Sequence, residues 1–220
     1  MERIKLIFAL SKSFSLLDLL GLLLHYISAF IRSLWHWRIR RTGAFYMGSG
    51  CEVLFPSKIT LGKNVRIGSW CVISGFGDEG LEIGDNSSIG SFSRIIVSTT
   101  FKFPGRNIKL GSNVGIGEFA SLAGSGGLQI GNDTIIGQYF SAHPENHKYS
   151  DINQKIRFQG TSRATIVIGE DCWIGSKVTV LAGVKIGSGC VVGAGSVVTG
   201  DIPPNSIAVG NPCKVIKVRS

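Results

Sequence analysis

This chain is short of paired cysteines, clustered histidines and charge. Five cysteines (51, 71, 172, 190 and 213) are an odd number with no CxxC pair, so neither a disulfide framework nor a cysteine-ligated zinc site is encoded, and reduced thiols in a reducing compartment fit better. Histidines number four, and only His143 and His147 lie near one another outside the N-terminal segment; a three-histidine zinc site is not available. Charged residues make up 17% against 44% hydrophobic, which excludes a disordered chain. Proline is scarce, at six, while glycine reaches 30, about twice its usual share of roughly 7%. That contrast excludes collagen and low-complexity linkers, so glycine must punctuate something regular. No basic stripe interleaved with aromatics runs through the later part of the chain, and nucleic acid is not an expected partner.

The formal charge of +9 is unevenly placed. Residues 1–41 hold seven Lys and Arg (3, 5, 12, 32, 38, 40 and 41) against Glu2 and Asp18, a net +5 on an apolar segment. Basic residues beside apolar ones suit an anionic membrane surface.

What is abundant is a repeat with a period of six. An aliphatic residue followed by glycine recurs in pairs, as Leu61-Gly62 and Ile67-Gly68, Ile83-Gly84 and Ile89-Gly90, and so on to Ile186-Gly187 and Val192-Gly193. Each pair is followed six residues on by a third apolar position without glycine: Ile73, Ile95, Leu122, Ala142, Val180 and Val198. The unit is therefore eighteen residues with one corner unlike the other two. Helices want apolar spacing of three to four, and simple strands want alternation; this period describes three short strands closing a triangular coil. Six such coils, stacked at about 4.8 Å, make a prism ~29 Å tall over about residues 55–202. The aliphatic residue points inward, and the glycine after it is expected to relieve a bend or a positive φ. Four residues after each aliphatic comes a second inward position, small everywhere except Phe140; Cys71, Cys172 and Cys190 fall here as core fillers. Insertions at 74–82, 96–109, 123–129 and 143–167 all follow a third hexad, so every loop is expected along one edge.

Over about residues 55–217 this pattern resembles the hexapeptide-repeat acyltransferase family. The C-terminal run from DCWIGSKV to NPCKVIKV carries the likeness, and ENHKYSD, QGTSR and CWIGSKV bring it closest to sugar and polysaccharide O-acetyltransferases. The resemblance implies an all-β solenoid, specifically a left-handed parallel β-helix, which period alone does not determine. It also implies acetyl-CoA as co-substrate, direct transfer without an acyl-enzyme, a sugar or polysaccharide acceptor and a homotrimer with the site between subunits. No metal is implied.

His143 and His147 open the longest insertion, within HPENHKYSD. Long loops on rigid scaffolds often carry function, and a largely neutral imidazole suits a general base. The family likeness assigns that role to His147, in an Asn-His-x-Tyr pattern, with His143 before Pro144 as the alternative; Glu145 is a candidate for orienting the base. It further implies Trp173, Ser176, Ala194 and Thr199 along the pantetheine arm and Lys214 and Lys217 near the coenzyme phosphates. Gly175 and Gly193 would let a thin ligand approach backbone amides. Amino-sugar or small-antibiotic N-acetylation, and a non-catalytic scaffold, are the competing readings.

The expected organisation is a helical segment at 1–42, a linker at 43–54, the solenoid at 55–202 with an active-site loop at 143–167, and a coenzyme-binding tail at 203–220. In the first segment Ser11, Ser15, Asp18, Gly21, His25, Ser28 and Arg32 recur at spacings of three and four, one polar face of a helix. That stripe, with the flanking basic residues and Trp35 and Trp37, favours an in-plane anchor; a spanning helix and simple packing on the solenoid stay open. A membrane arrangement places the enzyme on the cytoplasmic side of the bacterial inner membrane.

Overall fold

The computed structural model describes residues 15–36 and 38–219; Arg3, Lys5, Ser11, Lys12 and Trp37 lie outside them. Three parallel sheets form the three faces of a left-handed β-helix. Face A has seven strands, from Arg40–Arg41 to Lys185–Ile186; face B has nine, from Phe45–Met47 to Lys214–Val218; face C has seven, from Glu52–Leu54 to Val197–Val198. Successive coils pair in register, so that Ile67, Ile89, Ile116, Ile136, Ile174 and Val192 form one inward column on face B. All are buried in a single apolar core with their counterparts on faces A and C.

The solenoid begins earlier than its period indicates. Residues 43–54, expected as a linker, contain two strands of a first coil: Phe45–Met47 pairs with Val65–Ile67, and Glu52–Leu54 with Val72–Ser74. Arg41 occupies the place of Leu61 and Met47 that of Ile67, so the first hexad has no aliphatic to announce it. The other end also runs on. Ser206–Val209 continues face B in parallel, and Lys214–Val218 folds back on it antiparallel, closing that edge.

Glycine serves a different purpose from the one expected. Positive φ falls three residues after the aliphatic, at Asn64, Trp70, Asn86, Phe92, Asn113 and Phe119 (φ 57 to 61°) and at Gly189 and Gly195 (φ 70 and 73°), never at the glycine directly after it. The glycine directly after the aliphatic is instead pressed on the next coil. A Cβ on Gly90 would lie 2.4 Å from the Glu118 nitrogen, and one on Gly68 2.4 Å from that of Ser91. Coils stack as closely as bare backbone allows only where that side chain is missing.

All four insertions leave from the corner between faces C and A. Two of them lengthen the face A strands that follow, Gly77–Ile83 and Gly105–Leu110. The longest carries a hairpin, Glu145–His147 against Thr161–Arg163.

Ahead of the first coil, helix α1 spans Leu16–Leu34. Ser15 and Asp18 close a reciprocal capping box at its start. Ala29 and Ser33 are buried, the Tyr26 and Phe30 rings sit 5.8 and 6.3 Å from Tyr46, and Arg32 Nε donates to the Met47 carbonyl at 3.0 Å. The helix therefore lies on the first strand of face B. Ile39, just beyond it, joins the core.

Candidate active site

Strand alternation fixes which residues of face C look outward. On the strand Ser141–His143, Ala142 is buried, leaving Ser141 and His143 outside. Parallel pairing then places Arg94, Ser121, Ser141 and Thr179 in one outward row, and the Ser141 and Thr179 hydroxyls lie 3.0 Å apart. His143 stands in the neighbouring row, opposite Leu181, at the corner from which the loops leave.

Those loops turn the corner into a pocket of about 300 Å³. Its wall includes Arg94, Ser98, Ser121, His143, Glu145 and Arg163. Arg163 holds the wall together. Its Nε is ion-paired with the Glu145 carboxylate, while Nη1 and Nη2 donate to the carbonyls of Pro104 and Phe103 at 2.9 and 3.1 Å. One guanidinium thus joins the hairpin to the loop at 96–109, using the fixed donor fork that lysine lacks. Ser98 braces the same loop, its hydroxyl donating to the Thr100 carbonyl at 3.2 Å.

The two candidate histidines are separated by this geometry. His143 is in the pocket wall on a strand paired on both sides. His147 pairs with Thr161 further out on the hairpin and is exposed, outside the wall. It shares the hairpin face of Glu145, two residues and so about 7 Å further from the prism. Glu145 faces the pocket, but its carboxylate is committed to Arg163.

The residues expected on the donor side are not in this pocket. Pairing sets Ile135, Trp173, Val191, Ile207 and Lys217 in one outward row across face B. A register shift between Ile207 and Ala208 leaves Lys214 opposite Val209 and Lys217 opposite Ile207, so both lysines project from the same outer face although three residues apart. Trp173 is 60% exposed. Ser176 and Ala194 stand at the corner between faces B and C, and Thr199 follows the last strand of face C. An exposed indole with two cations on its face fits an elongated anionic ligand carrying an aromatic end. Gly175 and Gly193 do not leave space for one. Their Cβ atoms would lie 2.5 Å from the Ala194 nitrogen and 2.7 Å from Val209 Cγ1, so coil packing accounts for both.

Arg94, Ser121 and Arg163 are pocket residues that the sequence reading did not single out. Arg163 lay within QGTSR, already visible as a shared motif, whereas nothing in a hexad distinguishes an outward Arg94 or Ser121. Among the described residues, no three His, Cys, Asp or Glu side chains are grouped to hold a metal ion.

Two family models match the chain: the bacterial transferase hexapeptide (six repeats) at residues 165–200 and the hexapeptide repeat of succinyl-transferase at 58–91. A probable acetyltransferase of Mycobacterium tuberculosis is 30% identical over 80% of this chain and 51% of its own length. The putative lipopolysaccharide biosynthesis O-acetyl transferase WbbJ of Escherichia coli is 38% identical over 48% of this chain and 57% of its own. The chain thus spans about half the length of these curated relatives. Among solved structures, the N-acyltransferase AntD of Bacillus cereus, in complex with dTDP and 3-hydroxybutyryl-CoA, superposes with a TM-score of 0.59 at 19% identity, covering 87% of this chain and 90% of that one; that likeness is one of fold.

Proposed function

We propose that this chain, which belongs to the hexapeptide-repeat acyltransferase family, transfers an acetyl group from acetyl-CoA to a sugar hydroxyl with His143 as general base. The observation that carries this reading is the pocket on face C, where His143 is the histidine of the wall and is held by a strand paired on both sides. The imidazole takes the acceptor's hydroxyl proton as that oxygen bonds to the thioester carbonyl carbon. The carbon–sulfur bond then breaks, and the imidazolium returns the proton to the departing thiolate. Arg94 and Ser121 supply donors for a polyhydroxylated acceptor.

The likeness to the putative lipopolysaccharide biosynthesis O-acetyl transferase of Escherichia coli supports a surface polysaccharide or its lipid-linked precursor as acceptor. Trp173, Lys214 and Lys217 on one outer face support a coenzyme seat there, with Ser176, Ala194 and Thr199 around the corner toward His143. Donor groups on face B and the pocket on face C also support a homotrimer, in which one copy's face B meets its neighbour's face C.

Thiol release from acetyl-CoA against a panel of sugars, amino sugars and polysaccharide repeat units tests the reading. His143→Ala should lower turnover by about 10²–10⁴ with coenzyme affinity unchanged. If His147→Ala is the crippling change instead, the base is the outer histidine. If neither substitution slows thiol release, acyl transfer at this pocket is refuted.

A further inference from the structure

Helix α1 has an apolar face that the solenoid does not use. Its packing side is Tyr26, Ala29, Phe30 and Ser33. Its polar stripe is Asp18, Gly21, His25, Ser28 and Arg32, at spacings of three and four. Between them, on the side away from the prism, lie Leu16, Leu20, Leu24, Ile27, Ile31 and Leu34, all exposed, with Leu16 at 82%. A helix on a soluble domain normally turns its widest apolar arc inward; here a different arc is packed. The outer arc is continuous over the length of the helix, unlike the scattered apolar residues of an ordinary surface.

The border of this arc indicates what covers it. At its C-terminal end stand Trp35, 81% exposed, and the exposed Arg38, Arg40 and Arg41. The only carboxylate on the helix, Asp18, is at the opposite end and closed into the capping box with Ser15. Leucines flanked by an exposed indole and a run of cations match the apolar boundary, headgroup level and negative potential of an anionic bilayer. By length and composition the helix could cross a membrane. The Arg32–Met47 hydrogen bond and the Tyr26–Tyr46 contact hold it sideways on face B instead, and its polar stripe would have no partner in hydrocarbon.

We propose that α1 lies in the plane of an anionic membrane surface, its leucine arc seated in the acyl boundary and Trp35 with Arg38, Arg40 and Arg41 at the headgroups. This goes beyond acyl transfer and stands independently of it.

Flotation of the full chain with vesicles tests the proposal, using phosphatidylglycerol with phosphatidylethanolamine in one set and phosphatidylcholine alone in the other. The wild type should float with the anionic vesicles. Replacing Leu20, Leu24, Ile27 and Ile31 together by serine should cut partitioning by about a hundredfold or more, with thermal midpoint and sedimenting mass unchanged. Arg38→Gln with Arg40→Gln should cut binding to anionic vesicles by about thirtyfold and leave phosphatidylcholine binding as it was. A fluorophore on Leu24→Cys, in a Cys51→Ser background so that position 24 carries the label, should shift further to the blue with anionic vesicles than with phosphatidylcholine alone. The proposal is overturned if the wild type stays at the bottom of the gradient, or if the fourfold variant floats equally well. It is also overturned if that variant unfolds or loses mass, because a second copy or the core would then be what covers the arc.

Discussion

Replacing Phe140 by alanine removes the one aromatic ring from a column of small inward side chains. Cys71, Ser93, Ala120, Val178 and Ser196 occupy that position in other coils, and all are buried. The ring fits because its own coil is depleted next door. Ala142, two residues on and pointing the same way, stands where other coils carry Ile73, Ile95, Leu122, Val180 and Val198. Phe140 thus fills volume that an aliphatic side chain fills elsewhere. Phe140→Ala should therefore cost about 3–5 kcal/mol, the usual loss for a fully buried ring. Ala142→Leu alone should cost about 1–3 kcal/mol, since the ring already occupies the space. Together the two restore the arrangement of the neighbouring coils, so the double variant should fall within about 1.5 kcal/mol of wild type instead of the ~4–8 kcal/mol that addition would give. Guanidinium denaturation followed by circular dichroism measures all four corners of the cycle. If the double variant is additive within about 0.5 kcal/mol, the two side chains do not share one volume and the reasoning fails.

Three further outcomes are expected. The Cys51 thiol is lowered to about 7 by hydrogen bonding with Cys71, aided by the positive charge of Arg32, so near neutral pH it should be the first of the five cysteines alkylated. Peptide mapping that finds Cys172 or Cys213 modified first, both pushed up chiefly by burial, would contradict this. The Glu79 carboxyl is depressed to about 2 by hydrogen bonds from Lys109, Asn107 and Arg106. A depressed carboxyl stabilises above its ordinary value of 4.5 and loses that contribution as pH falls through about 2; Glu79→Gln should therefore lower the thermal midpoint at neutral pH, with the difference from wild type closing across that window. Arg163→Lys keeps the charge but cannot reach Glu145, Phe103 and Pro104 at once, so the KM for the acceptor should rise while that for the coenzyme holds; equal rises in both would argue against a role confined to the pocket wall.

The solenoid was legible because every inward aliphatic recurs at six and the loops interrupt only one corner. Its first coil was not, since Arg41 and Met47 replace the aliphatics at the start of its hexads and Phe45 fills the place of Val65. Register makes that coil, and register is a property of neighbours. The role of glycine was misread for a related reason. Gly68 and Gly90 look like turn residues in one dimension, but the constraint on them is the backbone of the next coil, at Ser91 and Glu118. At the site, the sequence marked the loop and both histidines, and the family likeness placed His147 ahead of His143 as base, the reverse of the order proposed from the pocket. What separates His143 from His147 is that one lies on the prism and the other on a hairpin standing off it, and no local pattern encodes that difference. Lys214 and Lys217 share a face only through an irregularity in antiparallel pairing, equally invisible in the residues themselves.

The confinement of all four insertions to one corner has a consequence for how such a protein diversifies. Segments leaving from the C–A corner build the pocket through Ser98, Glu145 and Arg163, whereas Trp173 and Lys217 sit in a row across face B that no insertion interrupts. The wall proposed to meet an acceptor and the surface proposed to seat the donor would therefore vary under separate constraints. A loop can be lengthened or exchanged at that corner without moving an inward side chain or altering the stacking distance of the coils. Under the proposed function, divergence in substrate choice would need no compensating change in the core, and one scaffold with one donor seat could be refitted to many acceptors by revising a single edge.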